Sequence, residues 1–154
     1  MQQVSKNTNQ VNESHHNVAI IGTGFAGLCM AINLKQQGEE DFVLYEKAGD
    51  LGGTWRDNTY PGCGCDVPSN LYSLSFERNP NWSTKFASQN EILQYLYRLT
   101  KKYRVEQNIK FRTEITAMVW DPTRKRWHLT TATGKRFTAT VVISAMGGLH
   151  VPST

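Results

Sequence analysis

The chain has 154 residues, a net charge of +4, 39% hydrophobic residues and three cysteines. That length suits one domain with its own core. No run of about 18 apolar residues is present, so no membrane-spanning helix is expected, and without an apolar h-region a signal peptide is not expected either. The basic residues are scattered, with short clusters only at Lys101–Lys102 and Arg124–Lys125–Arg126. This argues against a nucleic-acid surface and suits an anionic small molecule better. An odd count of cysteines, Cys29, Cys63 and Cys65, argues against a disulfide scaffold. Cys63 and Cys65 lack the further Cys or His ligands of a zinc site, so no metal is expected.

In chain order, residues 1–16 are rich in Gln, Asn, Ser and Lys and read as a disordered tail. The folded domain is expected over 17–154. Asn17 to Gly22 reads as a buried strand, because its apolar run is continuous rather than alternating. A helix is expected from Gly24 to Gln37, stopped by Gly38. Phe42 to Glu46 is a second buried strand, which makes a βαβ unit. Leu51 to Phe76 holds too many Gly and Pro residues for long elements. Its aromatic content, with Trp55, Tyr60, Tyr72 and Phe76, argues for an ordered functional loop. Ser88 to Glu91 has the pattern of a capping box ahead of a helix from Gln89 to about Tyr103. Three strands should follow, Ile109–Trp120, Arg126–Thr133 and Arg136–Ser144, with turns at Asp121-Pro122 and Thr133-Gly134. The last strand runs into Ala145, Met146, Gly147 and Gly148.

Gly22-Thr23-Gly24-Phe25-Ala26-Gly27 is a G-x-G-x-x-G placed between a predicted strand and a predicted helix, the context that gives the pattern meaning. Gly22 allows the tight turn. Gly24 lets a pyrophosphate reach the backbone. Gly27 lets helix and strand pack closely. The helix N-terminus adds free N–H groups and partial positive charge. Glu46 lies 19 residues after Gly27, where a carboxylate can accept the ribose hydroxyls of an adenosine. It would repel a 2′-phosphate, so this site should take FAD or NAD rather than NADP.

Two further segments are more specific. The first runs from Gly52-Gly53-Thr54-Trp55 through Tyr60-Pro61-Gly62 to Cys65-Asp66 and Leu71-Tyr72. The second is Ile143 to Gly147. With the glycine fingerprint they resemble the class B flavoprotein monooxygenases, the family of Baeyer–Villiger and flavin-containing monooxygenases. The resemblance covers Val18 to Pro152. It implies an α/β, Rossmann-like FAD-binding domain, a parallel βαβ sheet with a β-meander. It also implies an incomplete form of the family's two-dinucleotide fold.

On that resemblance FAD binds along Gly22, Gly24, Phe25, Ala26 and Gly27, with Glu46 and Lys47 at the adenosine ribose. Gly53, Thr54 and Trp55 follow the ribityl chain and the ring. Asp66 and Tyr72 lie by the isoalloxazine, the segment Gly64 to Asp66 with Cys65 borders the nicotinamide, backbone near Ile115 touches the adenine, and Met146 and Gly147 complete the cofactor site. Asp66 is the catalytic candidate, since an Asp there helps orient an Arg from much later in the chain. Met146 departs from the Thr usual at its position. The implied reaction uses NADPH and O2 to put one oxygen atom into a carbonyl compound or onto a soft N or S centre. A second glycine fingerprint for NADPH is not in this chain, so the fragment is expected to be inactive alone and to need the rest of the enzyme. The expected compartment is the cytoplasm. Other readings are a different two-dinucleotide flavoprotein oxidoreductase, such as a disulfide reductase or amine oxidase, and a truncated FAD-binding module without catalysis.

Overall fold

A computed structural model describes residues 13–148. β1 (Ser14–Ile21), α1 (Phe25–Gln36) and β2 (Phe42–Tyr45) form the βαβ unit, with β1 and β2 parallel. Both faces of these strands are buried, and the sequence alternates between them. Val18, Ile20, Phe42 and Leu44 point into one core, packed with α1 and α3 (Gln89–Lys102). Ala19, Ile21, Val43 and Tyr45 point into a second core on the other face. This is why the apolar runs are unbroken. Burial in that second core pushes the Tyr45 phenol up to about 12.

β4 (Ile115–Asp121), β5 (Arg126–Thr131) and β6 (Arg136–Ser144) form the antiparallel meander, and β6 also pairs in parallel with β1. The six strands are ordered β3-β2-β1-β6-β5-β4, with β3 (Ile109–Lys110) and β4 at opposite edges. Six strands laid flat would separate those edges by about 24 Å. The five Cα steps from Lys110 to Ile115 reach at most about 18 Å. The sheet therefore curls, and the meander folds over one face of β1 and β2. The Tyr45 and Phe137 rings meet there at 5.2 Å, and Leu129 and Ala139 complete the second core. The fold is Rossmann-like α/β with a β-meander.

The structure departs from the expectation in three places. The single strand expected over Ile109–Trp120 is two strands, broken at Arg112, whose φ is 51°. The break is held by Arg112 N–H to the Ala48 carbonyl and Thr113 N–H to the Glu46 carbonyl, both 2.8 Å. β1 starts at Ser14, so Ser14, His15 and His16 are strand and not tail. Their pairing with Phe137, Thr138 and Ala139 supplies the order that their polar side chains conceal. The expected tail before Glu13 lies outside the described residues. The capping box is half formed. Ser88 Oγ accepts from Glu91 N–H at 3.4 Å, but the Glu91 carboxylate turns to Ser83 N–H and Oγ–H instead of closing the box.

The Gly- and Pro-rich stretch is ordered. It contains α2 (Thr54–Asp57) and a 3₁₀ turn at Ser69–Leu71, and Gly64 bridges to Ser88 ahead of α3. The Gln89 side chain donates to the Trp55 carbonyl, and the Tyr97 hydroxyl donates to Asp50. These contacts pin the loop across the C-terminal ends of β1 and β2.

Candidate functional site

A cleft of about 1180 Å³ opens at those strand ends, larger than the ~300–1,000 Å³ of ordinary small-ligand pockets. Such crevices outside the carboxyl ends of parallel strands are where open α/β sheets take ligands. Every residue expected at the cofactor lines this cleft except Gly27. Gly27 lies beneath the loop for a packing reason. A Cβ on it would stand 2.0 Å from the Gly22 carbonyl oxygen.

The glycines divide by what surrounds them. Gly22 has φ 104°, and a Cβ there would meet the Ala145 carbonyl at 2.6 Å. This is a turn that the protein itself crowds. At Gly24 the backbone is ordinary, with φ −75°, and the nearest atom to a built Cβ is 3.9 Å away, on Gly53. Nothing in the folded chain requires glycine at 24, so the space belongs to whatever enters the cleft. The α1 ladder begins with Leu28 N–H to the Gly24 carbonyl at 3.0 Å. The N–H groups before it have no partner within the helix. The first turn carries no acidic side chain, so its partial positive charge is left for an anion. The arrangement fits a pyrophosphate.

A second glycine turn faces the first. Gly52 N–H donates to the Thr23 carbonyl at 3.0 Å, and a Cβ on Gly53 would lie 3.2 Å from Gly24 Cα. Trp55, 9% exposed, follows this turn on α2. Its indole N–H donates to the Tyr72 hydroxyl at 3.0 Å. Tyr72 also meets Trp55 and Phe25 edge-on, at 5.6 and 5.1 Å. This aromatic wall gives the cleft an apolar side that a planar ring could pack on. Cys65 is buried beside it. Asp66 is exposed at the cleft, and Ile115 and Met146 line it from the meander side.

Glu46 stands just past the end of β2 and is 4% exposed. Its Oε2 accepts from Thr23 N–H at 3.1 Å and Thr23 Oγ–H at 2.6 Å. Its Oε1 accepts from Ala48 N–H at 3.0 Å and meets Arg56 Nη1 at 3.1 Å. Burial pushes its pKa up. The Thr23 hydroxyl, the Ala48 N–H, the Arg56 charge and the Thr23 N–H together outweigh burial and hold it below the usual carboxylate range. The acid is therefore ionised in the folded protein.

Thr23 and Arg56 are the site residues that the sequence concealed. Thr23 is a variable position inside the glycine pattern. Arg56 reaches Glu46 only because α2 lies over the end of β2. Among the described residues no cluster of His, Cys, Asp and Glu could hold a metal ion, and no helix is long and apolar enough to cross a membrane.

The match to known proteins covers most of the chain. Residues 20–89 match the family model of an NAD(P)-binding Rossmann-like domain. A Baeyer–Villiger monooxygenase of Pseudomonas aeruginosa is 52% identical over 139 residues, which is 90% of this chain and 26% of that protein. An FAD-binding monooxygenase of Aspergillus niger is 37% identical over 147 residues, 88% of this chain and 24% of that protein. Among solved structures, an oxidised steroid monooxygenase bound to NADP superposes with a TM-score of 0.86 at 35% identity, over 92% of this chain and 28% of that one. The chain thus spans about a quarter of the length of the relatives it matches.

Proposed function

We propose that this chain, a relative of the Baeyer–Villiger monooxygenases, is the FAD-binding portion of an NADPH- and O2-dependent flavoprotein monooxygenase. The observation that carries the reading is the open space at Gly24, facing Gly53 and the α1 N-terminus, while Gly22 and Gly27 are crowded by the protein itself. A backbone built that way leaves one glycine free for a phosphate. The names of the relatives support FAD as the dinucleotide and a nicotinamide as the reductant.

The residues then have these roles. Gly24, Phe25 and Ala26 hold the pyrophosphate through backbone N–H groups. Glu46 accepts the adenosine ribose hydroxyls, with Lys47 beside it, and Ile115 covers the adenine. Gly53, Thr54 and Trp55 follow the ribityl chain, and Tyr72 and Cys65 wall the ring. Asp66 stands exposed at the ring end, placed to orient a cation supplied by the rest of the enzyme. Met146 and Gly147 close the opposite lip with backbone. FAD held there would supply hydride acceptance from NADPH and activation of O2, one oxygen atom going to a ketone or a soft N or S centre and the other leaving as water. The protein's share is orientation and exclusion of water.

The test is the visible absorption of the purified chain after incubation with FAD and removal of free flavin. Near-stoichiometric bands of oxidised flavin are expected. A folded chain that retains no flavin refutes the cofactor assignment for this segment.

A further inference from the structure

Glu46 is held by more than the recognition of a ribose demands. A carboxylate offers about four acceptor sites; Thr23 and Ala48 fill three, and Arg56 pairs with Oε1 at 3.1 Å, which leaves one place on Oε1 for a ribose hydroxyl. These donors come from three segments: the first glycine turn, the stretch after β2, and α2. We propose that Arg56 is a positioning residue that fixes the Glu46 carboxylate between the two glycine turns, so that the acid meets the adenosine ribose in one ionised orientation. The inference rests on the FAD reading.

Arg56 is built for this. Its side chain is 15% exposed. Nη1 also donates to the Asp50 carbonyl at 2.7 Å, and Nε and Nη2 bind the Asp57 carboxylate at 2.7 and 2.9 Å. The guanidinium is thus anchored at both ends before it reaches Glu46. The planar fork makes all these contacts without changing rotamer, which a flexible ammonium cannot do. Arg56 also donates its backbone N–H to the Gly53 carbonyl at 3.0 Å. One residue therefore links the second glycine turn to the acid that holds Thr23 of the first. Nearby charges act through it or flank it. Asp50 carries the Tyr97 hydroxyl, Lys47 adjoins Glu46, and Arg112 packs beside Gly49. Glu114 lines the same cleft, next to Thr113, whose N–H donates to the Glu46 carbonyl.

Removing the guanidinium leaves a buried carboxylate short of its counter-charge, and burial then favours protonation. Thr23 and Ala48 would still hold the acid, but it could turn and take up a proton at higher pH. A protonated or misdirected Glu46 accepts ribose hydroxyls poorly.

The experiment measures FAD affinity by flavin fluorescence between pH 8 and the acid limit of folding, with far-UV circular dichroism as the fold control. The wild-type affinity is expected to stay level through the ordinary carboxylate range. Arg56→Met should bind about tenfold more weakly at neutral pH, the loss of one charged contact, and weaken further on acidification within that range. Arg56→Lys should restore the level profile, because the charge returns, with only part of the affinity. It also keeps the test decisive if Arg56→Met does not fold. In a Glu46→Gln background, Arg56→Met should cost nothing further. Unchanged affinity and pH profile in Arg56→Met overturns the proposal and leaves the FAD reading intact. So does an equal loss with and without Glu46. A folded wild-type chain that takes up no FAD overturns the cofactor reading and this inference with it.

Discussion

Substituting alanine at Gly24 and at Gly27, three residues apart in one motif, should give opposite kinds of damage. At Gly27 the added methyl would stand 2.0 Å from the Gly22 carbonyl oxygen, about 1 Å inside any contact a real Cβ makes. The clashing atoms are Gly22 backbone, which no rotamer change can move aside, so α1 must shift away from the turn. Overpacking against backbone costs ~3 kcal/mol or more. For a domain of this size that lowers Tm by roughly 6–12 °C. At Gly24 the nearest atom is 3.9 Å away and φ is −75°, so the methyl fits. The loss is the poorer helix cap, about 0.5–1 kcal/mol and no more than about 4 °C. Yet that methyl fills the space assigned to the pyrophosphate, and FAD affinity should fall by about tenfold or more. Thermal unfolding followed by circular dichroism, paired with flavin retention, separates the two effects. Gly24→Ala binding FAD like the wild type would show that no phosphate sits there. Equal thermal losses in the two variants would show that the packing argument is wrong.

Two further outcomes follow from local geometry. Burial at Tyr45, and hydrogen bonds to Asp50 at Tyr97 and to Glu77 at Tyr103, push these phenols up to about 12. An alkaline absorbance titration should show part of the tyrosine signal rising well above the ordinary value of about 10, and a single step near 10 would contradict this. Because these pKa values are raised in the folded state, their contribution to stability is complete below about 10 and is lost as pH climbs towards 12. Lys125 sits exposed in the β4–β5 turn with φ 50°. Lys125→Gly should relieve a left-handed conformation costing about 1 kcal/mol and raise Tm by about 2–4 °C. An unchanged or lower Tm would mean the turn is not strained.

The sequence by itself determined the elements that local chemistry specifies. Unbroken apolar runs at Val18–Ile21 and Phe42–Tyr45 could only be strands covered on both faces. Glycines at 22, 24 and 27 between strand and helix announced the turn. The aromatic residues among the glycines of 52–76 announced an ordered wall. Each of these signals lies within a few residues of chain. Tertiary structure alone decided the rest, because the deciding contacts join distant segments. Ser14 to His16 are polar and became strand only through the ladder with β6. The stretch from Ile109 to Trp120 reads as one strand, but the chain breaks at Arg112 because β3 and β4 serve opposite edges of a curled sheet. The Thr23, Glu46 and Arg56 contacts join three segments that no periodicity connects. Burial and charge pairing are properties of that proximity, and only the folded chain supplies it.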